Sequence, residues 1–204
     1  LTLCFSQQEP VVQGPFSQLI IRGVTLINGN GAPPQGPIDI VVENDRIVAI
    51  QVVGYPGVPI KADKRPKLES GGKEMDANGM YLLPGFVDMH AHIGGEAQGA
   101  DWEYVFKLWL AHGITTIREP SGRGVEYAVQ LKKKSAANEI IAPRIITYTA
   151  FGQDSKTPIN TADQARAWVQ QNAKNGADGI KFFGAEPDKM QAALEEKKRL
   201  GLGS

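Results

Sequence analysis

Two histidines separated by one residue offer the first chemistry in this chain, in Pro84-Gly85-Phe86-Val87-Asp88-Met89-His90-Ala91-His92. The residues leading to them read as a β-strand over 86–92, and side chains alternate across a strand. His90 and His92 therefore share one face, with Phe86 and Asp88 behind them on the same face. Two imidazoles so placed at a strand end can chelate one metal ion from one wall, and imidazole suits zinc, iron and nickel. Asp88, one step below, could accept an imidazole N–H and orient a ring. A bare His-x-His is a weak signal; the glycine pair Gly94-Gly95 directly after this strand strengthens it.

The second chemical candidate is Lys181, in Ala177-Asp178-Gly179-Ile180-Lys181-Phe182-Phe183-Gly184. Lysine is rarely buried without a partner, yet this one lies in an apolar strand. Burial lowers an amine's pKa, and a neutral lysine can take up carbon dioxide to form a carbamate whose two oxygens bridge two metal ions. The alternative is a lysine at a strand end whose long side chain reaches solvent. The third histidine, His112, stands just before Gly113 at a helix end, where a cation is favoured. A capping role is the expectation for it.

These groups need elements to hold them. Residues 17–83 read as a small β-rich domain. Leu19 to Ile27 is a strand, and runs at 38–42 and 46–50 flank Glu43-Asn44-Asp45, a turn whose residues tolerate left-handed backbone. A Pro/Gly/Lys-rich insertion at 54–73 follows, then a short strand near Met80-Tyr81-Leu82-Leu83. After Pro84 the rhythm changes. Strands are predicted at 86–92, 115–118, 144–148 and 179–183, with helices at 102–112, 125–137, 161–175 and 187–200. Thr161 with Gln164 fits a capping box, and Gly113, Gly176 and Gly201 fit helix C-termini. Alternating strands and helices imply a parallel sheet of βα units. A closed eight-unit barrel needs about 250 residues, so the fold expected is α/β, a partial TIM barrel of four units over 84–204.

Composition excludes several classes. Lysine plus arginine and aspartate plus glutamate number 22 each, so net charge points to no nucleic-acid partner. The basic run Lys61-Ala62-Asp63-Lys64-Arg65-Pro66-Lys67 reads as a solvated loop. The single cysteine, Cys4, forbids an internal disulfide and a multi-cysteine zinc site. No apolar run approaches the roughly 18 residues of a membrane span. Residues 1–16 read as a leader. Within it, Leu1-Thr2-Leu3-Cys4-Phe5-Ser6 is either the remnant of an export signal, implying a periplasmic or secreted protein, or a terminus without meaning in a cytoplasmic one. Trp102, Trp109 and Trp168 fall on helices and are expected to pack. Gly122-Arg123-Gly124 lacks the spacing of a phosphate loop.

The run Leu83 to His92 closely resembles the first-strand signature of the amidohydrolase superfamily. Gly113-Ile114-Thr115-Thr116-Ile117-Arg118-Glu119 is similar to its second strand. Gly176 to Lys181 resembles the fourth, in the imidazolonepropionase and prolidase-like branch. The segment from Gly23 to Ile50 is similar to the small β-domain that precedes the barrel in this family. The resemblance covers about residues 17–204. It implies a metal-dependent hydrolase acting on a C–N bond of a small non-peptide or cyclic amide or a dipeptide. By that resemblance His90 and His92 bind the more buried of one or two zinc ions, and carboxylated Lys181 bridges the pair. The metals would activate water near neutral pH and polarise the scissile carbonyl. Glu119 stands where the family often has aspartate, and it is assigned no metal role. The family's further histidines, from strands five and six, and its strand-eight aspartate have no counterpart here. The expectation is therefore a chain cut before its site is complete, inert alone and prone to associate through open sheet edges. A homo-oligomer is expected for the full-length protein. The alternatives are a non-catalytic half-barrel needing a complementary chain, and a sugar- or nucleotide-binding βα domain that leaves both histidines and Lys181 without purpose.

Overall fold

The computed structural model describes residues 14–95, 99–120 and 124–204. Residues 1–6 with Cys4, and Gly122-Arg123, lie outside the described residues. Two compact units meet in sequence between Pro84 and Gly85.

The first unit is a five-stranded sheet. Its strands are β1 (Gln18–Leu26), β2 (Gln35–Glu43), β3 (Arg46–Val52), β4 (Lys73–Asp76) and β5 (Tyr81–Leu82), in the order β3-β2-β1-β4 with β5 also on β1. β2 and β3 form the expected hairpin. Glu43 faces Arg46, and Asn44 takes a φ of 53°, the left-handed conformation such a turn requires. Val24, Ile38, Ile40 and Ala77 make the core. β4 is a strand that the residue pattern did not announce. All four of its residues, Lys-Glu-Met-Asp, are exposed, so no alternation marks it, and parallel pairing with β1 defines it. Gly23 breaks the β1–β2 register. A Cβ there would lie 2.0 Å from Asn78 Oδ1, and the freed N–H donates to Asp39 Oδ1 at 2.8 Å.

The second unit is a four-stranded parallel sheet, curled as half a barrel, in sequence order: β6 (Phe86–Asp88), β7 (Ile114–Glu119), β8 (Arg144–Ala150) and β9 (Gly179–Lys181). Helices α1 (Trp102–Ala111), α2 (Val125–Ala136), α3 (Ala162–Asn175) and α4 (Pro187–Arg199) follow the strands in turn. Local chemistry sets their ends. Asp101 caps α1 by accepting the Glu103 N–H, the Thr161–Gln164 capping box opens α3, and Pro187 occupies the first turn of α4. Gly176 closes α3 at a φ of 98°. His112 caps the C-terminus of α1, its Nδ1 lying 2.8 Å from Leu108 O.

The helices bury apolar stripes against one face of the sheet. Phe106 is fully enclosed with Ala91, Ile93, Ile117, Ala128, Leu131 and Ile145, and its burial alone contributes about 1.5–3 kcal/mol. Trp168 joins Ala165, Val169, Ile180, Ala192 and Ala193 in a second cluster, while Trp102 and Trp109 flank the first. No helix among the described residues is long and apolar enough to cross a membrane.

Two strands are shorter than the sequence suggests. β6 stops at Asp88, not His92, because side chains take over its edge. Asp88 Oδ1 accepts the His90 N–H at 2.8 Å, and Arg118 Nε donates to Met89 O at 2.7 Å. The chain rejoins β7 only where the Ala91 N–H reaches Arg118 O at 3.1 Å. β9 ends at Lys181, leaving Phe183 78% exposed.

Candidate metal centre

Parallel strands deliver their C-terminal ends to one edge of the sheet, and the candidate residues gather there. His90 and His92 follow β6 directly, Glu119 ends β7, and Lys181 ends β9. The two imidazoles are neighbours, with centroids 5.4 Å apart and planes at 76°. Strand alternation alone does not produce this pairing, since both rings lie beyond the strand. The Asp88 turn and the return of Ala91 to β7 set it. Asp88 differs from expectation in its partner: its carboxylate binds the His90 backbone N–H, and it orients the loop, not an imidazole.

The orienting carboxylate is Glu119. Its side chain is 1% exposed, with Oε1 3.2 Å from His92 Nδ1 and Oε2 accepting the Ile93 N–H at 2.9 Å. A carboxylate at Nδ1 favours the tautomer that carries the proton there and leaves Nε2 with its lone pair. That nitrogen is the one a metal would take. Glu119 is thus the residue beside His92 that sequence reasoning passed over. The signal was present in its place at the end of the strand next to β6, because adjacent parallel strands bring their terminal residues together.

Lys181 is separated from the histidines by two intervening strands, β7 and β8. It pairs with Ala150 and is half-buried, its ammonium 4.4 Å from the centre of the exposed Phe183 ring. The amine is therefore held by a cation–π contact at the strand end and is not enclosed. No group of three or more His, Cys, Asp or Glu residues that could hold a metal occurs among the described residues. The pair His90–His92, with one ring fixed by a buried carboxylate, fits part of a divalent-metal ligand set.

No protein-family model matches the chain. N-acyl-D-aspartate deacylase of Alcaligenes xylosoxydans xylosoxydans is 40% identical over 103 residues, 50% of this chain and 17% of its own. The chain belongs to the amidohydrolase superfamily. Adenine deaminase of Bacillus pumilus is 26% identical over 169 residues, 77% of this chain and 26% of its own. Among solved structures, a Xaa-Pro dipeptidase with bound methionine in the active site superposes with a TM-score of 0.63 at 24% identity, over 91% of this chain and 55% of that one. The chain thus spans about a quarter or less of these curated relatives and about half of the solved dipeptidase chain.

Proposed function

We propose that the whole protein is a metal-dependent hydrolase that cleaves a C–N bond in a small molecule: a non-peptide or cyclic amide, or a dipeptide. The observation that carries this reading is the His90–His92 pair with His92 Nδ1 held by buried Glu119. The names of the relatives support it, since a deacylase, a deaminase and a dipeptidase all break a bond between carbon and nitrogen. In this reading residues 84–204 are the first four βα units of an eight-unit barrel.

The roles divide as follows. His90 and His92 hold a divalent cation, most simply zinc, through ring nitrogens, and Glu119 keeps His92 in the tautomer that can bind. Lys181, once its amine has added carbon dioxide with loss of its proton, would contribute the resulting carbamate to the same ligand set. When bound, the cation supplies Lewis acidity toward a carbonyl and toward water.

The test is metal content per chain in the full-length protein and in the His90→Ala/His92→Ala double variant. Loss of at least one metal equivalent with loss of amide hydrolysis is expected; unchanged stoichiometry would sink the reading. Lys181→Ala is expected to lose activity that short carboxylic acids partly restore, because they can supply the missing carboxylate. A fully active Lys181→Ala variant removes the carbamate from the scheme.

A further inference from the structure

Arg118 carries a feature that the metal reading leaves unused. Four arginines among the described residues are half-buried: Arg22, Arg65, Arg118 and Arg166. Three of them meet carboxylates. Arg22 and Arg65 pair with Asp39, and Arg166 with Asp163 and Glu195. Arg118 pairs with no carboxylate among the described residues. Its Nε donates to Met89 O at 2.7 Å, and its guanidinium carbon lies 4.8 Å from the centre of the Tyr148 ring. One hydrogen bond and one cation–π contact hold the group. The two terminal nitrogens remain, forming the fork that suits a carboxylate's two oxygens.

Register says which face this fork occupies. Arg118 pairs with Ile146 of β8, and Tyr148 and Ala150 of β8 pair with Gly179 and Lys181 of β9. Alternation therefore puts Arg118, Tyr148 and Lys181 on one face of the sheet, while Ile117, Ile145 and Thr147 point to the helices. On that face Arg118 stands at a strand end and is tied to Met89, the residue before His90. Half-buried positive charge without an anion is unfavourable, and a ligand that brings one relieves it.

We propose that Arg118 binds a carboxylate of the substrate, so that the amides taken at this site carry a free carboxylate near the scissile bond, as N-acyl amino acids and dipeptides do. This rests on the site reading above. The two terminal nitrogens can each direct one N–H to the two oxygens of a carboxylate, and the C–N hydrolase reading supplies such a group in N-acyl amino acids and dipeptides, whereas it supplies no phosphate.

Two measurements on the full-length, metal-loaded protein test it. In the first, NMR titration compares N-acetylalanine with N-acetylalaninamide, which differ only in the carboxylate, for the parent, Arg118→Met and Arg118→Lys. The parent is expected to bind the acid about 10- to 100-fold more tightly than the amide, the range of one charge-assisted contact. Arg118→Met should erase that preference, and Arg118→Lys should keep part of it by charge without the fork. In the second, steady-state kinetics on the same acid and amide should show Arg118→Met raising KM for the acid alone. Equal binding of acid and amide by the parent overturns the proposal. So does an equal loss for both ligands in Arg118→Met, which would make Arg118 only a prop for the Met89 loop. Inorganic phosphate displacing the acid at equal concentration also overturns it. If the parent turns over neither ligand yet binds the acid through Arg118, the hydrolase reading falls and the carboxylate site stands.

Discussion

The first unit buries the carboxylate of Asp39 against two guanidiniums, Arg22 at 3.1 Å and Arg65 at 2.8 Å, with the Gly23 N–H as a further donor. The second buries that of Glu119 against an imidazole and the Ile93 N–H. Both side chains are almost wholly enclosed, at 0% and 1% exposure, so depth does not separate them. The partners do. A guanidinium stays charged and has no acceptor, so the Asp39 cluster only fastens, and Arg22 carries it on to Glu74 and the Pro66 carbonyl. An imidazole held at one nitrogen still presents the other. The chain thus uses the same buried group once to fasten strands and once to aim a ring.

Removing the fastening should cost most. Asp39→Ala strands Arg65 and removes Arg22's contact with the buried carboxylate, and breaking such a cluster by one partner costs about 3–5 kcal/mol. Hydrogen-exchange protection of Ile21 and Ile40, paired across β1 and β2, reads the loss locally; a change under about 1 kcal/mol would show that the cluster is not structural. Acid should reproduce part of this effect. Burial acts to raise the Asp39 pKa, but hydrogen bonds from Arg65, Gly23 and Arg22 outweigh it and hold the carboxyl below its ordinary value. A depressed folded-state pKa gives stability that is complete above the unfolded value, near 4, and lost as pH falls through the lower folded value. Protection in β1 and β2 should therefore be flat from pH 8 to 5 and decline below about 4. Asp39→Asn should lack that part of the acid slope.

Disturbing the aiming should spare the fold and strike the ring. Glu119→Gln keeps an oxygen for the Ile93 N–H but replaces the carboxylate that favours a proton on His92 Nδ1. Loss of such an orienting group typically weakens metal binding about 10- to 100-fold. Nitrogen-15 spectra of the histidines should show His92 shifting away from the Nδ1–H tautomer in the variant, even without metal. An unchanged tautomer would place Glu119 with Asp39, as a structural carboxylate only.

The contrast also marks what residues alone could reveal. Helices, the Asn44 turn, the Thr161 box and the His112 cap were legible because each is written within a few neighbouring positions. The His-x-His pair was legible for the same reason. Glu119 was not, since its partner lies 27 residues away and only the register of β6 on β7 brings them together. Asp39 was missed likewise, its two arginines being 17 and 26 residues distant. β4 escaped because a strand exposed along its whole length has no periodicity, and β6 read too long because Asp88 and Arg118 cap its edge with side chains. The deacylase match covers half the chain, and register supplies what local pattern cannot.

The smallest effect concerns a third kind of buried polar group, one with no partner at all. Thr149 is fully buried in β8, in register with Ile180, and its hydroxyl meets no hydrogen-bond partner among the described residues. Unlike Asp39 and Glu119, it bears the cost of leaving water without a compensating bond. Valine keeps the branched shape that suits a strand and replaces the hydroxyl by a methyl. Thr149→Val is therefore expected to stabilise the second unit by about 1 kcal/mol, at the low end of the penalty for an unpaired buried hydroxyl. Thr149→Ser, which keeps the hydroxyl and deletes the methyl, should destabilise by a similar amount through the lost packing. Denaturant unfolding followed by Trp168 fluorescence, from the core cluster that contains Ile180, reads both. If valine destabilises, the hydroxyl has a partner in the folded protein. Thr149 would then join Asp39 and Glu119 as a satisfied group, and the division by partner would need redrawing.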